Sequence, residues 1–156
     1  MAIERGFRFS IPFEDAFPDG LVMVGEVSAD NEFQSREDRA AGRPVRQRVD
    51  EVTGKRQWRA AVTDPGEAKA KRASFEVTLL ADVQPVPTTS EALPGMRPVE
   101  LEGLTAEPRV GGQGEFKYLT YVFRATGFKA AGSGSAGGAK SSRSSTSSSP
   151  DESKAA

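Results

Sequence analysis

The chain has 156 residues, with 21 Lys and Arg against 22 Asp and Glu, and it contains no Cys and no His. This composition excludes disulfide frameworks, thiolate chemistry, Ser-His-Asp and Cys-His catalytic sites and almost every zinc site. A carboxylate or magnesium-dependent reaction stays formally open, but the side chain that most often moves protons near neutral pH is missing. We therefore expect a protein that is not an enzyme and that needs no cofactor.

The N-terminal stretch "MAIERGFRFSIPF" (residues 1–13) carries charges at Glu4, Arg5 and Arg8 and has no unbroken apolar run. It therefore does not fit a secretory signal. No segment approaches the ~18 apolar residues that a membrane-spanning helix needs. We expect a cytoplasmic protein without a membrane partner.

The first predicted strand is "GLVMVGEVSA" (residues 20–29), in which Val22 and Val24 share one face. Gly25 interrupts this run of branched residues. A glycine inside a strand is typical of a β-bulge or of a close approach by another backbone segment.

Two short helices are predicted. Residues 35–42, "SREDRAAG", begin with Ser35 as an N-cap and end at Gly42. Residues 65–74, "PGEAKAKRAS", allow one or two helical turns beginning at Pro65. Neither segment has a wide apolar stripe, so both are expected at the surface.

The stretch "RVDEVTGKRQWRAAVTD" (residues 48–64) predicts a strand, a tight turn and a second strand. Glycine at position 54 accepts the left-handed conformation that closes such a turn. In the second strand Trp58, Ala60 and Val62 alternate with polar neighbours and share one face.

Positive charge is concentrated around this hairpin. Residues 43–59 carry six Lys and Arg against two Asp and Glu, a local charge of +4, whereas residues 1–129 carry 18 against 20, a net charge of −2. Basic side chains beside an aromatic ring suit a phosphodiester backbone and a stacked base. The candidate nucleic-acid-binding residues are Arg46, Arg48, Lys55, Arg56, Trp58, Arg59 and Tyr118.

Each candidate has a plain structural alternative. A charged hairpin is often a solvated edge, where Lys and Arg prevent sheets from associating. Trp58 shares its face with two small apolar residues and so fits a core position. Tyr118, beside Lys117 and facing away from Leu119, fits an ordinary half-exposed strand position.

The C-terminal half of the ordered part predicts further strands. "FEVTLL" (residues 75–80) and "FKYLTYVFRATGF" (116–128) alternate in polarity, and residues 97–110 form one strand or two short strands divided near Gly103. Four prolines make residues 84–98 an extended connection.

About five strands and little helix favour a mostly β domain over residues 1–129. We predict a small five-stranded Greek-key barrel of the OB type, in which the second and third strands commonly form the binding platform, with a β-sandwich as the alternative. Residues 130–156 contain ten Ser, six Ala and four Gly and neither an aromatic nor a branched aliphatic residue, which predicts a disordered tail.

Four phrases of the sequence carry a family resemblance: "FPDGLVMVGEV", "TGKRQWRAAVTDP", "RPVELEGLTAEPRV" and "YVFRATGF". Over residues 13–129 they resemble the Pra-like plasmid replication, integration and excision activators of actinobacterial integrative and conjugative elements. The resemblance implies a DNA-linked accessory or regulatory role in replication, excision or transfer of a mobile element. It supplies no catalytic residues.

Two functions follow as expectations. The first is nonspecific binding of single-stranded DNA or RNA by the basic hairpin. The second is a protein-interaction module, without direct DNA contact, in which an exposed β edge or residues 84–98 bind a replication or recombination protein. The sequence leaves the oligomeric state open, including a homo-oligomer. No helix-turn-helix pattern supports a classical DNA-binding activator.

Overall fold

The computed structural model describes residues 2–130. In this range the chain forms three short helices, α1 (Phe13–Ala16), α2 (Arg36–Ala40) and α3 (Ala70–Ala73). The strands are β1 (Phe9–Ser10), β2 (Leu21–Ala29), β3 (Gln57–Thr63), β4 (Ser74–Leu80), β5 (Met96–Val99), β6 (Leu101–Glu102), β7 (Thr105–Gln113), β8 (Phe116–Ala125) and β9 (Gly127–Phe128). The predicted disordered tail, apart from Ala130, lies outside the described residues.

Seven strands form one mixed sheet in the order β1-β7-β8-β4-β3-β2-β5, and β6 and β9 form a separate two-stranded sheet. All pairs are antiparallel except β4 and β8, which run parallel. The prediction of a mostly β domain is confirmed. Within residues 2–130 the end strands β1 and β5 do not pair, so the sheet is open and does not form the closed five-stranded barrel.

One face of the sheet holds the core. Alternate residues of β2, β3 and β4 point into it, as strand periodicity requires. The most buried core side chains on these strands are Leu21, Met23, Ala60, Val62, Val77 and Leu79. The predicted alternation of residues 75–80 is therefore confirmed, and the core face of β3 is the face that carries Trp58.

The bulge predicted at Gly25 is present. The register of β2 against β3 shifts between Val24 and Ser28, and Gly25 has a φ of 76°. Its N–H donates to the carbonyl of Gly95 at 2.8 Å, outside the β2–β3 ladder. Only glycine takes this backbone conformation without strain, which explains the break in the run of branched residues.

The helix predictions are confirmed in one case and wrong in part in the other. The Ser35 hydroxyl accepts a hydrogen bond from the Asp38 N–H at 3.0 Å and caps α2 as expected. Helix α3, however, does not begin at Pro65, because the Gly66 N–H bonds the Asp64 carboxylate and forms a turn there. Helix α1, which contains Phe13, was not predicted at all.

Of the two strands predicted within residues 48–64, only the second forms. The turn between them closes as predicted, with Gly54 at a φ of 71° and its N–H bonded to the Asp50 carbonyl. The second arm is β3, but the first arm makes a single bridge, between Val49 and Arg56. Strand β3 instead takes β2 and β4 as its neighbours in the sheet.

The strands predicted within residues 97–128 are present, but they are divided at more positions than predicted. Residues 97–110 divide at Gly103, which has a φ of 63°, and again after Val99. Residues 116–128 divide into β8 and β9. No helix within residues 2–130 has the length and apolar character needed to cross a membrane.

Candidate binding surfaces

The basic segment, residues 43–59, places three arginines free in solvent. Arg46, Arg56 and Arg59 are exposed. None of the three forms an ion pair with another residue of the described chain. Their charge is therefore available to a ligand.

Two other candidate cations already have carboxylate partners. Lys55 Nζ lies 2.7 Å from Asp82 Oδ2, and Arg48 Nε lies 3.8 Å from Asp30 Oδ1. Both cations are about half exposed, and such surface pairs are weak. They can exchange their partners for a phosphate, but they contribute less net charge than the free arginines.

Trp58 packs against the core and is half-buried. Its indole Nε1–H donates to the carbonyl of Ala81 at 2.9 Å, so its polar atom is occupied. Arg59, the next residue in β3, points to the opposite face of the sheet because side chains alternate. The structure therefore separates Trp58 from the Arg59 guanidinium, and the core alternative describes its packing.

A buried carboxylate fixes the turn of the basic segment. Asp50 is 1% exposed and accepts hydrogen bonds from both Nη atoms of Arg8, at 2.6 and 2.9 Å. It also accepts from the N–H and the hydroxyl of Thr53. The Arg8 hydrogen bonds hold the pKa of the Asp50 carboxyl well below its usual range, with help from Thr53.

A second ion network lies on β7 and β8. The buried Glu107 carboxylate accepts from Arg109 at 2.8 Å and from Arg124 at 2.7 Å. The hydrogen bond from Arg109, followed by that from Arg124, lowers the pKa of Glu107. Arg124 is thus already engaged by the Glu107 carboxylate.

Stability is expected to fall in acid because of these two carboxylates. Their pKa values are lower in the folded than in the unfolded state, where about 3.9 and 4.3 are usual for Asp and Glu. Their stabilisation is complete above those unfolded values and is lost as the pH falls through the folded values. Urea unfolding should give a constant free energy of unfolding above about pH 5 and a decline from about pH 4.5 to 2. Glu107→Gln should make that decline shallower. A wild-type profile that stays flat to about pH 2.5 would contradict the assignment.

The β7–β8 hairpin extends beyond its neighbours in the sheet. On one side β1 pairs only with Thr105 and Ala106, and on the other β4 pairs only with Arg124 and Ala125. Residues 107–122, here called the ribbon, therefore form a two-stranded projection. Its apolar side chains are largely in solvent: Val110, Phe116, Tyr118, Leu119 and Tyr121 are each 49–85% exposed.

An open groove of about 950 Å³ lies between the ribbon and the start of β4. We call it the strand groove. Phe17, Phe75 and Phe123 lie at its base in mutual contact, with ring centroids 5.0–5.8 Å apart. Cationic Lys71 and Arg72 lie at its rim. The groove thus combines an aromatic base with a cationic rim and is open to solvent.

Tyr118 belongs to this groove. Its ring faces the Arg72 guanidinium at 5.8 Å from the centroid, an ordinary cation–π distance. Gly111 lies opposite in the ladder, and a Cβ there would come within 2.8 Å of the Tyr118 ring. Among the described residues, no side-chain hydrogen bond, ion pair or ring contact joins Tyr118 to the basic segment. The sequence candidates therefore lie on two surfaces.

Sequence reasoning missed Arg8 and Phe17 as important positions. Residues 1–13 were considered only as a possible secretory signal. Phe13 and Phe17, four residues apart, had the spacing of one helix face and could have indicated α1. Among residues 2–130 no three Asp or Glu side chains converge in a way that could hold a metal ion.

No known protein family, curated protein or solved structure matches this chain.

Proposed function

We propose that the protein is a cytoplasmic, non-catalytic accessory factor in replication, excision or transfer of a mobile element, and that it binds single-stranded nucleic acid nonspecifically. The observation that carries the binding proposal is the set of three exposed arginines, Arg46, Arg56 and Arg59, that lack carboxylate partners in an acidic domain. The role in a mobile element rests on the family resemblance alone.

The structure alters the expected balance of contacts. Because Trp58 is packed on the core and donates its N–H to Ala81, base stacking contributes little in this proposal. Phosphate contacts dominate, and they release counterions in proportion to the number of charges neutralised. Three arginines on a single strand correspond to a slope of roughly −2 for log K against log salt.

The test is fluorescence anisotropy of a labelled dT oligonucleotide titrated with the full chain at several salt concentrations. Reversing two charges together, Arg56→Glu and Arg59→Glu, is expected to weaken binding about tenfold or more at low salt and to flatten the slope by about 1.4. Trp58 emission, recorded in the same titration, should change little.

Arg36→Glu is the matched control, since Arg36 is also an exposed cation without an ion pair but lies in α2, outside the basic segment. Arg36→Glu should weaken oligonucleotide binding less than the double reversal does. It should also leave most of the slope of log K against log salt unchanged. Absence of binding by the wild-type chain at low salt would reject the proposal. Equal losses in the control and the double variant would place the contact elsewhere.

A further inference from the structure

The edge of β8 that faces β4 is unpaired over most of its length. Within residues 2–130 the ladder between β4 and β8 includes only Thr78 with Arg124 and Leu79 with Ala125. Between Tyr118 and Phe123, where β8 lines the strand groove, alternate residues direct their backbone N–H and C=O groups to this edge. Such an edge is a template for an additional strand.

The other edge of the ribbon is protected. Pro108 lies in β7 opposite Tyr121, and a proline has no N–H to offer to an added strand. Pro108 cannot donate a hydrogen bond to β8 either. Its pair with Tyr121 therefore fits a non-hydrogen-bonded antiparallel pair, in which the backbone groups of both residues point away from the partner strand. The N–H groups of Tyr121 and, two residues earlier, Leu119 then point to the open edge of β8.

The surroundings of that edge suit apolar side chains. Leu119 is 61% exposed and Tyr121 49% exposed, and both lie on the groove together with Phe75 and Phe123. An added strand would direct every second side chain toward these rings. The edge therefore selects bulky apolar residues at alternate positions.

The charge at the rim of the groove favours a particular charge on the ligand. Lys71 and Arg72 form no ion pair within the described chain. Two carboxylates also line the groove, but neither is within ion-pair distance of Lys71 or Arg72: Asp64 accepts from the Gly66 N–H, and Glu67 accepts from the Lys69 N–H. A ligand that carries an acidic residue at this end of the groove would complement the two cations.

We propose that the strand groove binds an extended segment of a partner protein, with bulky apolar residues at alternate positions and an acidic residue at the end near α3, as an added strand on β8. This interaction is independent of the nucleic-acid contact proposed for the basic segment. The ladder with β4 reaches β8 only at the pair of Thr78 with Arg124, so a single added strand has an unpaired edge to join in the gap before that pair. A second copy of the ribbon would have to bring its own β7 into the same gap.

The experiment is selection of a random twelve-residue peptide library on the immobilised full chain, followed by anisotropy titration of the enriched peptides. Enriched peptides should share the alternating apolar pattern with Asp or Glu at one end. Bound peptide should slow amide hydrogen exchange within residues 116–122.

Two variants locate the site. Leu119→Pro removes the edge N–H and should weaken peptide binding about tenfold, whereas Leu119→Ala keeps that N–H and should weaken it less. Reversing Lys71 and Arg72 together to Glu should also weaken binding about tenfold, while Arg36→Glu should not. Thermal unfolding of each variant checks that the domain is intact, and the charge variant is decisive if Leu119→Pro disturbs the ribbon.

Three results would overturn the proposal. The first is a library that yields no enriched peptide. The second is a set of peptides that bind the wild type, the Leu119→Pro variant and the variant with Lys71 and Arg72 reversed to Glu with equal affinity. The third is a wild-type chain that forms a dimer in light scattering and becomes monomeric with Leu119→Pro, which would assign the edge to a second copy.

Discussion

Asp50→Ala is expected to lower the free energy of unfolding by about 3–5 kcal/mol, the usual loss when one partner of a buried ion pair is removed. The carboxylate is buried and accepts four hydrogen bonds, two from Arg8 and two from Thr53. Without it the guanidinium of Arg8 stays largely buried, with 18% of its side chain exposed and no carboxylate bound to it. Urea unfolding at pH 7, followed by the fluorescence of Trp58, measures the change.

Glu51→Ala is the control, since Glu51 is exposed in the same turn and should shift stability by no more than about 0.5 kcal/mol. The double variant Arg8→Ala with Asp50→Ala should lose less than the sum of the single losses, because the two side chains are in direct contact. Additive losses, or an Asp50→Ala variant as stable as Glu51→Ala, would show that the pair does not hold the turn.

Asp50 also links stability to the proposed function. Its contacts hold the turn in the middle of the basic segment, and Arg56 lies between that turn and β3. If the Asp50→Ala variant is still folded, its turn is free to move. Binding of the dT oligonucleotide should then persist, because the charges remain, but with altered affinity. Oligonucleotide binding thus separates the effect of reversing the arginine charges from the effect of releasing the turn.

Local patterns made several parts of the fold predictable. Alternation identified the strands and their core faces, as in residues 75–80, where Val77 and Leu79 are fully buried. Glycine chemistry identified the bulge at Gly25 and the turn at Gly54, since both take positive φ. Side-chain capping identified α2 through Ser35. Each of these features depends on residues within a few positions of one another.

Features that depend on distant residues were not predictable from the same patterns. Arg8 and Asp50 are 42 residues apart in the chain, and nothing local indicates that they meet. The parallel pairing of β4 with β8 brings together strands from separate parts of the chain, and within residues 2–130 the end strands β1 and β5 do not pair. A closed barrel needs pairing between the first and last strands of the sheet, which strand count alone cannot establish.

The candidate site was predictable only as a list of cations. Sequence charge indicated the basic segment, but it could not show that Lys55 and Arg48 already have acidic partners while Arg56 and Arg59 do not. Periodicity placed Trp58 on an apolar face without deciding between core and stacking. The bond from its indole N–H to Ala81 favours the core, because that carbonyl becomes available only when β3 and β4 pair.

Phe17→Ala is expected to destabilise the domain by about 3–5 kcal/mol, as for other large aromatic residues removed from a core. Phe17 is 4% exposed, and its ring contacts Phe13, Phe75 and Phe123 with centroid distances of 5.0–5.8 Å. Its loss leaves a cavity under the strand groove that α1 cannot refill, because Phe13 is already packed. Thermal and urea unfolding measure the loss.

Phe33→Ala is the matched control, because Phe33 is 84% exposed and its removal should change stability by no more than about 0.5 kcal/mol. Phe17→Leu should fall between the two, since a smaller apolar side chain restores part of the lost packing. If the Phe17→Ala variant folds, its groove lacks a base, so the selected peptides should bind it more weakly while the oligonucleotide binds as before. Equal stability of Phe17→Ala and Phe33→Ala would contradict the packing of α1 against the sheet. Equal loss of peptide and oligonucleotide binding would contradict the assignment of two separate surfaces.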